Sequence, residues 1–372
     1  MKGRFNRVTI ILIGLALSVL TISSVSCKRE NKDEIIRDTE MIKLLCPPGK
    51  DIFTGSDGGI SIPISEDKSV WLFGDSFMGE VIDNHRDPVK DPLIYGQIFV
   101  ELDGTKARTI CGGTPQKPEP VVPCDSINGN QAMYWPHHGF VKNNILHTYM
   151  IKIVTDPKLW FYVDGLIYVR MSLPGYKIID IEKVSSYEKT QIWYGWGFFE
   201  KDGYYYTYGG TESRELHIAR GKLINDKLGD WEYFTGEEWS TDPTKTTKLD
   251  GIDMKISTQF SVFPYQDKYI LITQDGQKTK EDKMSDDIYS FIADSPEGPW
   301  YNKKLIYTVP EPKSERYNES HSYNAMAHPQ YSKDGKLLVS YCLNTFDQND
   351  LWKDATIYRP RFIYVPYTLI LK

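Results

Sequence analysis

The chain has 372 residues and a formal net charge of −6 at pH 7, and it is long enough to bury one large core or two modest ones. The acidic balance and the lack of a Lys/Arg cluster disfavour a nucleic-acid partner, because phosphate binding needs clustered cations. The sequence holds 25 Tyr and 9 Trp, which suit β-sheet cores, although aromatic rings also stack on sugars and bases.

The N-terminal segment has the pattern of a secretory signal. Basic residues precede an apolar run from Val8 to Leu20, and small residues then lead to Cys27. The run is too short for a comfortable membrane span. The pattern predicts a lipoprotein signal over residues 1–26 and a lipid anchor on Cys27, which would place the protein in the cell envelope, on the periplasmic or surface face of an outer membrane. Plain secretion and an uncleaved anchor are the alternatives.

Residues 27–40 are polar, and we interpret them as a tether to a folded domain of residues 41–372. The cysteines after Cys27 lack a CxxC spacing, which makes a zinc site improbable. Cys111 and Cys124 bracket a proline-rich loop and would be able to pair in an oxidising compartment, with free buried thiols as the alternative.

One hairpin pattern recurs five times along the domain. Each copy is a strand, a polar turn and a second strand, and two copies are followed by a further pair of strands. The copies begin near Asp57, His138, Trp196, Gln259 and His328. Five such units predict an all-β fold, a five-bladed β-propeller with four-stranded blades and long loop insertions. A β-sandwich or two smaller β-domains would not need the same hairpin five times.

The hairpins predict which residues share an edge of the propeller. The first strand of a hairpin starts where its second strand ends, so one edge of every blade contributes to a single rim around the channel. Asp57 is expected just before the first strand and Asp75 just after the second, roughly 5–9 Å apart because neighbouring strands are ~4.8 Å apart. We expect the ring to close by pairing a strand near Met41–Leu45 with the last blade around Arg361–Tyr367.

The predicted rim is rich in carboxylates, imidazoles, amides and aromatic rings, whereas the opposite edge carries ordinary solvated turns. Its members, blade by blade, are Asp57 and Asp75; His137 and His138; Trp193, Trp196 and Glu212; Gln259 and Gln274; and Tyr323, Asn324, His328 and Asn344. Rings stack on the apolar face of a sugar, amides bind its hydroxyls, and two carboxylates can hydrolyse a glycosidic bond. The rim therefore predicts a carbohydrate site in which Asp57 and Asp75 form the catalytic pair and Glu212 is a further candidate acid.

Structural roles are open for several of these residues. Asp57 and Asp75 would also serve as turn residues that bind their own backbone. Glu212 would also belong to a solvated charge cluster, and His328 would also be a packed core histidine. The adjacent His137 and His138 lack the spacing of zinc ligands, so no metal site is predicted. A structural calcium ion in the channel remains an open alternative, because the sequence has no loop whose ligand pattern specifies such an ion.

The string TGSDGGISIPI…VWLFGDSF resembles the opening blade of a bacterial propeller family known as domain of unknown function 4185. The strings SVF…YILITQDG, SPEGPW and YNAMAHPQ…LLVSYCLN resemble its later blades, so the resemblance spans roughly Gly55 to Tyr364. That family and neighbouring families of Bacteroidota are similar in fold to arabinanase and β-xylosidase propellers, and some members are endo-acting D-arabinanases. The resemblance implies a pentose- or furanose-directed glycosidase.

The resemblance also implies site roles for Asp57 and Asp75 in blade one and for Asn324 and His328 in blade five. The arabinanase-type pattern has an acidic residue at the start of the inner strand in blades one, two and three. This sequence has histidine in the second blade and tryptophan in the third.

These observations predict a monomeric, lipid-anchored glycoside hydrolase that acts on a pentofuranose-containing or related polysaccharide. The alternative is a surface lipoprotein that binds glycans without cleaving them. A lipoprotein that uses the propeller to dock another protein is a third hypothesis.

Overall fold

The computed structural model describes residues 34–277, 285–313, 316 and 320–372. The strands are β1 (Ile36–Asp38), β2 (Ile52–Pro63), β3 (Lys68–Gly79), β4 (Leu93–Ile94), β5 (Ile98–Asp103), β6 (Lys106–Ile110), β7 (Gly112–Thr114), β8 (Lys117–Glu119), β9 (Ala132–Lys142), β10 (Ile145–Asp156), β11 (Trp160–Ser172), β12 (Lys177–Lys183), β13 (Trp193–Lys201), β14 (Tyr204–Gly210), β15 (Leu216–Ile224), β16 (Lys227–Phe234), β17 (Trp239–Ser240), β18 (Ile256–Tyr265), β19 (Lys268–Asp275), β20 (Asp287–Ala293), β21 (Tyr301–Thr308), β22 (Ser320–Lys333), β23 (Lys336–Thr345) and β24 (Arg361–Pro366). The α-helices are α1 (Glu40–Leu45), α2 (Ser185–Thr190), α3 (Asn349–Lys353) and α4 (Tyr367–Leu371), and Pro243–Lys245 and Glu311–Lys313 form 3₁₀ turns.

Five antiparallel sheets form the blades of a five-bladed β-propeller, as the repeated hairpin predicts. From the innermost strand outward, the blades are β2-β3-β5-β6, β9-β10-β11-β12, β13-β14-β15-β16-β17, β18-β19-β20-β21 and β22-β23-β24-β1. Each innermost strand contacts the innermost strands of both neighbouring blades, so the ring is closed. All five predicted hairpins are the innermost pairs of their blades.

The ring closes through β1, which is not the segment that the sequence suggested. β1 pairs antiparallel with β24, with Ile36 opposite Tyr364, and is the outermost strand of blade five. The expected strand at Met41–Leu45 is wrong, because this segment is helix α1. The Asp38 carboxylate accepts the backbone N–H groups of Glu40 and Met41 at the helix start, and the helix buries Met41 and Leu45.

The packing of the blades explains why their strands contain continuous apolar runs. Val70 and Leu72 on β3 pack on one face of blade one, in the cluster that includes Met150 of blade two. Trp71 and Phe73 alternate with them and pack on the other face, against blade five. Both faces of the strand are therefore buried, and the usual alternation of apolar and polar residues is lost.

The described residues contain neither a disulfide bond nor a membrane-spanning helix. The four described cysteines have free thiols, so Cys111 and Cys124 are not paired in this structure. Within the described ranges, no helix is long and apolar enough to span a membrane. The predicted signal and the lipidated Cys27 lie outside the described residues.

Candidate functional site

A β-bulge recurs where each innermost strand pairs with its neighbour, and the predicted site residues lie at these bulges. In blade one, Asp57 of β2 lies opposite two residues of β3, Gly74 and Asp75, between the pairs Ser56–Ser76 and Gly58–Phe73. The same interruption falls at His137 and His138 in blade two, between Tyr194 and Trp196 in blade three, at Gln259 in blade four and at Asn324 in blade five. Bulges redirect side chains and are frequent beside active sites.

The two aspartates lie inside their strands. The prediction that Asp57 precedes β2 and that Asp75 ends β3 is wrong, because β2 begins at Ile52 and β3 continues to Gly79. The Ser56 hydroxyl bonds the backbone carbonyl oxygen of Asp57 at 2.9 Å and that of Asp75 at 2.6 Å. One hydroxyl thus holds the two residues side by side across the bulge.

Each carboxylate is bound by a different blade. The Tyr323 hydroxyl of blade five donates to Asp57 Oδ2 at 3.0 Å. The indole Nε1–H of Trp135 in blade two donates to Asp75 Oδ1 at 3.0 Å, and the Gly96 N–H donates to the same oxygen at 2.8 Å. Partners from three blades therefore meet at this pair, which a local turn would not require.

These surroundings shift the two carboxyl groups unequally. Burial, followed by the negative charge of Asp75, raises the pKa of Asp57 to about 7, although the Tyr323 hydroxyl opposes this shift. Burial raises the pKa of Asp75 to about 6, and the N–H groups of Gly96 and Trp135 lower it by stabilising the anion. Near neutral pH, Asp57 therefore retains a proton more readily than Asp75 does.

A cleft with a volume of about 1080 Å³ opens on blades two, three and four, and its lining includes neither Asp57 nor Asp75. Its lining includes Trp135, which binds Asp75, together with five residues that the sequence predicted: His137, Trp193, Trp196, Glu212 and Gln259. A smaller cavity of about 530 Å³ in the blade-one loops has no Trp, Tyr or Phe in its lining. The larger cleft is thus lined by rings, and Trp135 connects it to the acid pair through its hydrogen bond to Asp75.

The rings at the base of the cleft are packed firmly. His137 stacks on Trp196 with ring centroids 4.3 Å apart, and its Nδ1 lies 3.0 Å from the Tyr194 carbonyl oxygen. Burial lowers the pKa of His137 to about 4, so its imidazole is neutral at pH 7. Trp193 and Trp196 are 8% and 1% exposed, so they form part of the packed floor of the cleft and not its exposed rim. Glu212 is exposed and contributes a carboxylate to the lining of the cleft.

His138 and His328 lie away from the cleft. The His328 ring is fully buried between the hydroxyls of Ser61 and Ser340, at 2.7 and 2.8 Å, and packs against the tilted ring of Trp71. Burial lowers the pKa of His328 to about 3 and that of His138 to about 4. β22 begins eight residues before His328, which therefore lies deep in the blade and has the contacts of a core histidine.

Three predicted amides are also placed by the structure. The Gln274 amide donates to Ser285 and Ser322, so it joins blade four to blade five instead of facing the cleft. Asn324 is buried at the blade-five bulge with a φ of 58°, a left-handed conformation that asparagine tolerates better than most residues. Asn344 is half-buried and accepts the N–H of Thr345.

Two residues beside the acid pair are absent from the site residues that the sequence predicted. Trp135 precedes the histidine pair, but only the tertiary structure shows its bond to Asp75 in another blade. Tyr358 is buried in the loop before β24, and burial, followed by the charges of Asp57 and Asp75, raises its pKa. The position of Tyr358 carries no motif or spacing that would have identified it.

Metal binding gains no support from the described part of the chain. Across residues 34–277, 285–313, 316 and 320–372, no group of three or more His, Cys, Asp or Glu side chains is arranged to hold a metal ion. The calcium ion that the sequence left open therefore has no candidate ligand cluster among these residues.

Fold and site together define a five-bladed β-propeller with a half-buried carboxylate pair that is hydrogen-bonded to a residue of an aromatic cleft. Residues 50–367 match the family described as Domain of unknown function (DUF5005), and the chain belongs to this family. The narrower resemblance to domain of unknown function 4185 is not confirmed by this match. A search of the curated proteins found no match.

Solved structures share this fold. A protein of Bacteroides ovatus ATCC 8483, provisionally described as a hydrolase, has a TM-score of 0.74 at 20% identity, with 89% of each chain covered. Xylan β-1,4-xylosidase of Bacillus halodurans C-125 scores 0.49 at 10% identity, with 86% of this chain and 54% of that chain covered. A GH43_1 enzyme of Xanthomonas citri scores 0.48 at 11% identity, with 87% and 92% covered. The Bacteroides ovatus match shows a common fold.

Proposed function

We propose that this protein is a glycoside hydrolase that acts on a poly- or oligosaccharide. The observation that carries the proposal is the pair Asp57 and Asp75, whose pKa values are raised unequally and which is hydrogen-bonded through Asp75 to Trp135 of an aromatic cleft. Glycoside hydrolysis needs one carboxyl group that is protonated and one that is ionised. The provisional description of the Bacteroides ovatus protein with this fold agrees with the proposal.

The contacts of the pair suggest how the two roles are divided. Asp57, with the higher pKa, would donate its proton to the leaving oxygen as the glycosidic bond breaks. Asp75, whose anion is stabilised by Gly96 and Trp135, would act as the ionised base or nucleophile. Glu212 is exposed in the same cleft and is a second candidate for the acid.

The substrate class is a narrower part of the proposal. A pentofuranose-containing polysaccharide is favoured by the resemblance to arabinanase-type propellers, of which endo-acting D-arabinanases are one form. The ring-lined cleft suits the apolar face of any sugar and does not select a pentose by itself.

Glycan binding without cleavage is the second candidate function. The observation that favours it is that His138 and Trp196 occupy the inner-strand positions of blades two and three, where the arabinanase-type pattern has acids. In that case Asp57 and Asp75 would only bind hydroxyl groups of the glycan.

The test is the release of reducing ends from arabinan, arabinogalactan and xylan. We expect Asp57→Asn and Asp75→Asn each to reduce the rate by about 10²–10⁴-fold, the range of general acid–base catalysis. Asp67→Asn is the matched control, because Asp67 is exposed in the turn between β2 and β3. Cleavage at the wild-type rate by Asp75→Asn would remove the assignment, and binding without cleavage by the wild type would favour the second candidate.

The location is also a proposal. A lipid on Cys27 would hold the domain at the cell envelope, where extracellular glycans are accessible. Cells fed a labelled fatty acid should incorporate label into the wild-type protein and not into Cys27→Ala. Equal labelling of the two proteins would contradict the anchor.

A further inference from the structure

Exposed rings continue outward from the acid pair on the blade-two side. Trp135, which binds Asp75, packs edge-on against Phe161 with centroids 5.2 Å apart. Phe161 follows Leu159 and Trp160 at the tip of the hairpin formed by β10 and β11. These three side chains are 44%, 68% and 77% exposed, respectively. Leu159 and Phe161 line the cleft, so this apolar tip stands at its edge.

The hairpin tip has a defined conformation. The Asp156 side chain accepts the N–H groups of Lys158 and Leu159, both at 2.8 Å. Trp160 has a φ of 67°, which is unfavourable for a bulky residue and is held by this turn. The structure thus presents a large indole to solvent at a strained position.

A second series of rings leaves the acid pair on the blade-five side. Tyr323 donates to Asp57, and the His321 ring lies 5.5 Å from the Tyr323 ring. His321 also stacks on Phe346, at 4.8 Å between centroids and 29° between planes. Phe346 is 55% exposed. The acid pair therefore lies between two ring series that both end on exposed aromatic side chains.

We propose that this aromatic path, defined as Trp160, Phe161, Trp135, Tyr323, His321 and Phe346, binds one linear glycan chain that passes over Asp57 and Asp75 and continues on both sides. The proposal rests on the proposed function, because it takes the acid pair to be where the sugar is processed. It adds that Trp160 and Phe346 determine the preference for long chains over short ones.

The chemistry of the path favours a glycan over a protein partner. Rings stack on the apolar faces of successive sugar units, whereas carboxylates and amides bind their hydroxyl groups. The path alternates these groups, because the acid pair interrupts the rings and Gln259 and Gln191 line the adjoining cleft. A protein-docking patch would be more continuously apolar and would not need to cross two half-buried carboxylates.

The experiment measures retention of the protein in native gels that contain arabinan, arabinogalactan or xylan. Trp160→Ala and Phe346→Ala should each weaken the apparent affinity for the retaining polymer by about 3- to 10-fold, the loss expected for one ring contact. The matched control is Tyr301→Ala, which removes an aromatic side chain that is 40% exposed on the outer strand of blade four. In hydrolysis assays, the two ring variants should lose more activity on the polymer than on 4-nitrophenyl α-L-arabinofuranoside, because this small substrate reaches only the acid pair.

The outcomes separate this proposal from the proposed function. If the two ring variants lose retention and the wild type releases no reducing ends, the path stands and the hydrolase assignment fails. If the wild type is not retained by any polymer, or if both ring variants are retained equally with it, the path is overturned. An equal loss in Tyr301→Ala would also overturn it, because the effect would then not belong to this path.

Discussion

At the scale of single residues, Asp57 and Asp75 show how two equal carboxyl groups acquire different chemistry. Both are half-buried, and desolvation raises both pKa values. Asp75 receives two N–H donors, which favour its anion, whereas Asp57 receives one hydroxyl and faces the charge of Asp75. The difference depends on Trp135 and Tyr323 in other blades and on Gly96, which is distant in sequence within blade one.

The first prediction concerns the pH dependence of hydrolysis. Activity should fall below about pH 6, where Asp75 gains a proton, and above about pH 7, where Asp57 loses one. Trp135→Phe removes a donor to the Asp75 anion and should move the acidic limb upward by roughly one pH unit. Tyr323→Phe should instead move the alkaline limb upward. Rate profiles of the three proteins would show this, and identical limbs would contradict the assigned roles.

The second prediction concerns stability. The unfolded chain loses the Asp57 proton near pH 3.8, whereas the folded protein keeps it to about pH 7, so folding becomes less favourable as the pH rises between these values. Asp57→Asn removes this cost and should stabilise the protein by up to about 4 kcal/mol above pH 7, with no gain below about pH 4. Denaturant unfolding at pH 4 and pH 8 measures the difference. Asp67→Asn, which is exposed, should show no such pH-dependent gain.

At the scale of elements, the repeated bulge places the site. Each innermost strand loses register at the level of the predicted residues, and in blades one to four its pairing is regular near the turn of the hairpin. The bulge frees a residue from the ladder, so its side chain need not alternate between the two packed faces. The chain packs closely at the bulge and leaves little room for additional side chains. A glycine therefore lies next to each aspartate in the sequence.

The third prediction tests that close packing. A Cβ on Gly74 would lie 2.5 Å from Asp57 Oδ1, closer than atoms can approach without movement. Gly74→Ala should therefore displace the Asp57 carboxylate and reduce the hydrolysis rate by about 10-fold or more, since small misplacement of catalytic groups is costly. Gly203→Ala is a control of steric bulk, because nothing lies within 4 Å of a Cβ there, although its φ of 78° carries a backbone cost. A fully active Gly74→Ala would contradict the geometry.

At the scale of the whole molecule, closure of the ring depends on a segment distant in sequence from the blade that it completes. β1 supplies the outermost strand of blade five, and Arg37 in β1 pairs with the buried Glu311. Arg361 of β24 pairs with the same carboxylate at 3.1 Å. The two arginines and this glutamate therefore fasten both ends of the domain to one blade.

The fourth prediction follows from this closure. A protein that starts at Asp33 keeps β1, whereas one that starts at Glu40 loses the strand and the Arg37–Glu311 pair. The shorter protein should be less stable by roughly 2–4 kcal/mol, from the lost backbone hydrogen bonds and the half-compensated buried carboxylate. Chemical denaturation of the two proteins would measure this. Equal midpoints and slopes would show that β1 does not contribute to closure.

Local chemistry was enough to predict the blades. The five hairpins follow from short apolar strands and polar turns, which depend on neighbours in the sequence, and their repetition predicts the propeller. Asp57 and Asp75 were also paired correctly across one hairpin, because the two strands are joined by a short turn. The ends of the strands were harder to predict from the sequence. Because β2 and β3 are buried on both faces, their residue pattern does not show where strand pairing stops.

Only the tertiary structure decided how deeply each predicted residue is buried and which residues it contacts. His328 and Gln274 have the same polar character as Gln259, yet neighbouring blades enclose the first two, and Gln259 lines the cleft. The bond from Trp135 to Asp75 and the position of Tyr358 depend on how blades meet around the ring. The sequence by itself determined the five blades and their polar rim, because strands and hairpins form from local patterns. Which rim residues reach the acid pair was decided by the closed ring, because contacts between blades join segments that are far apart in the chain.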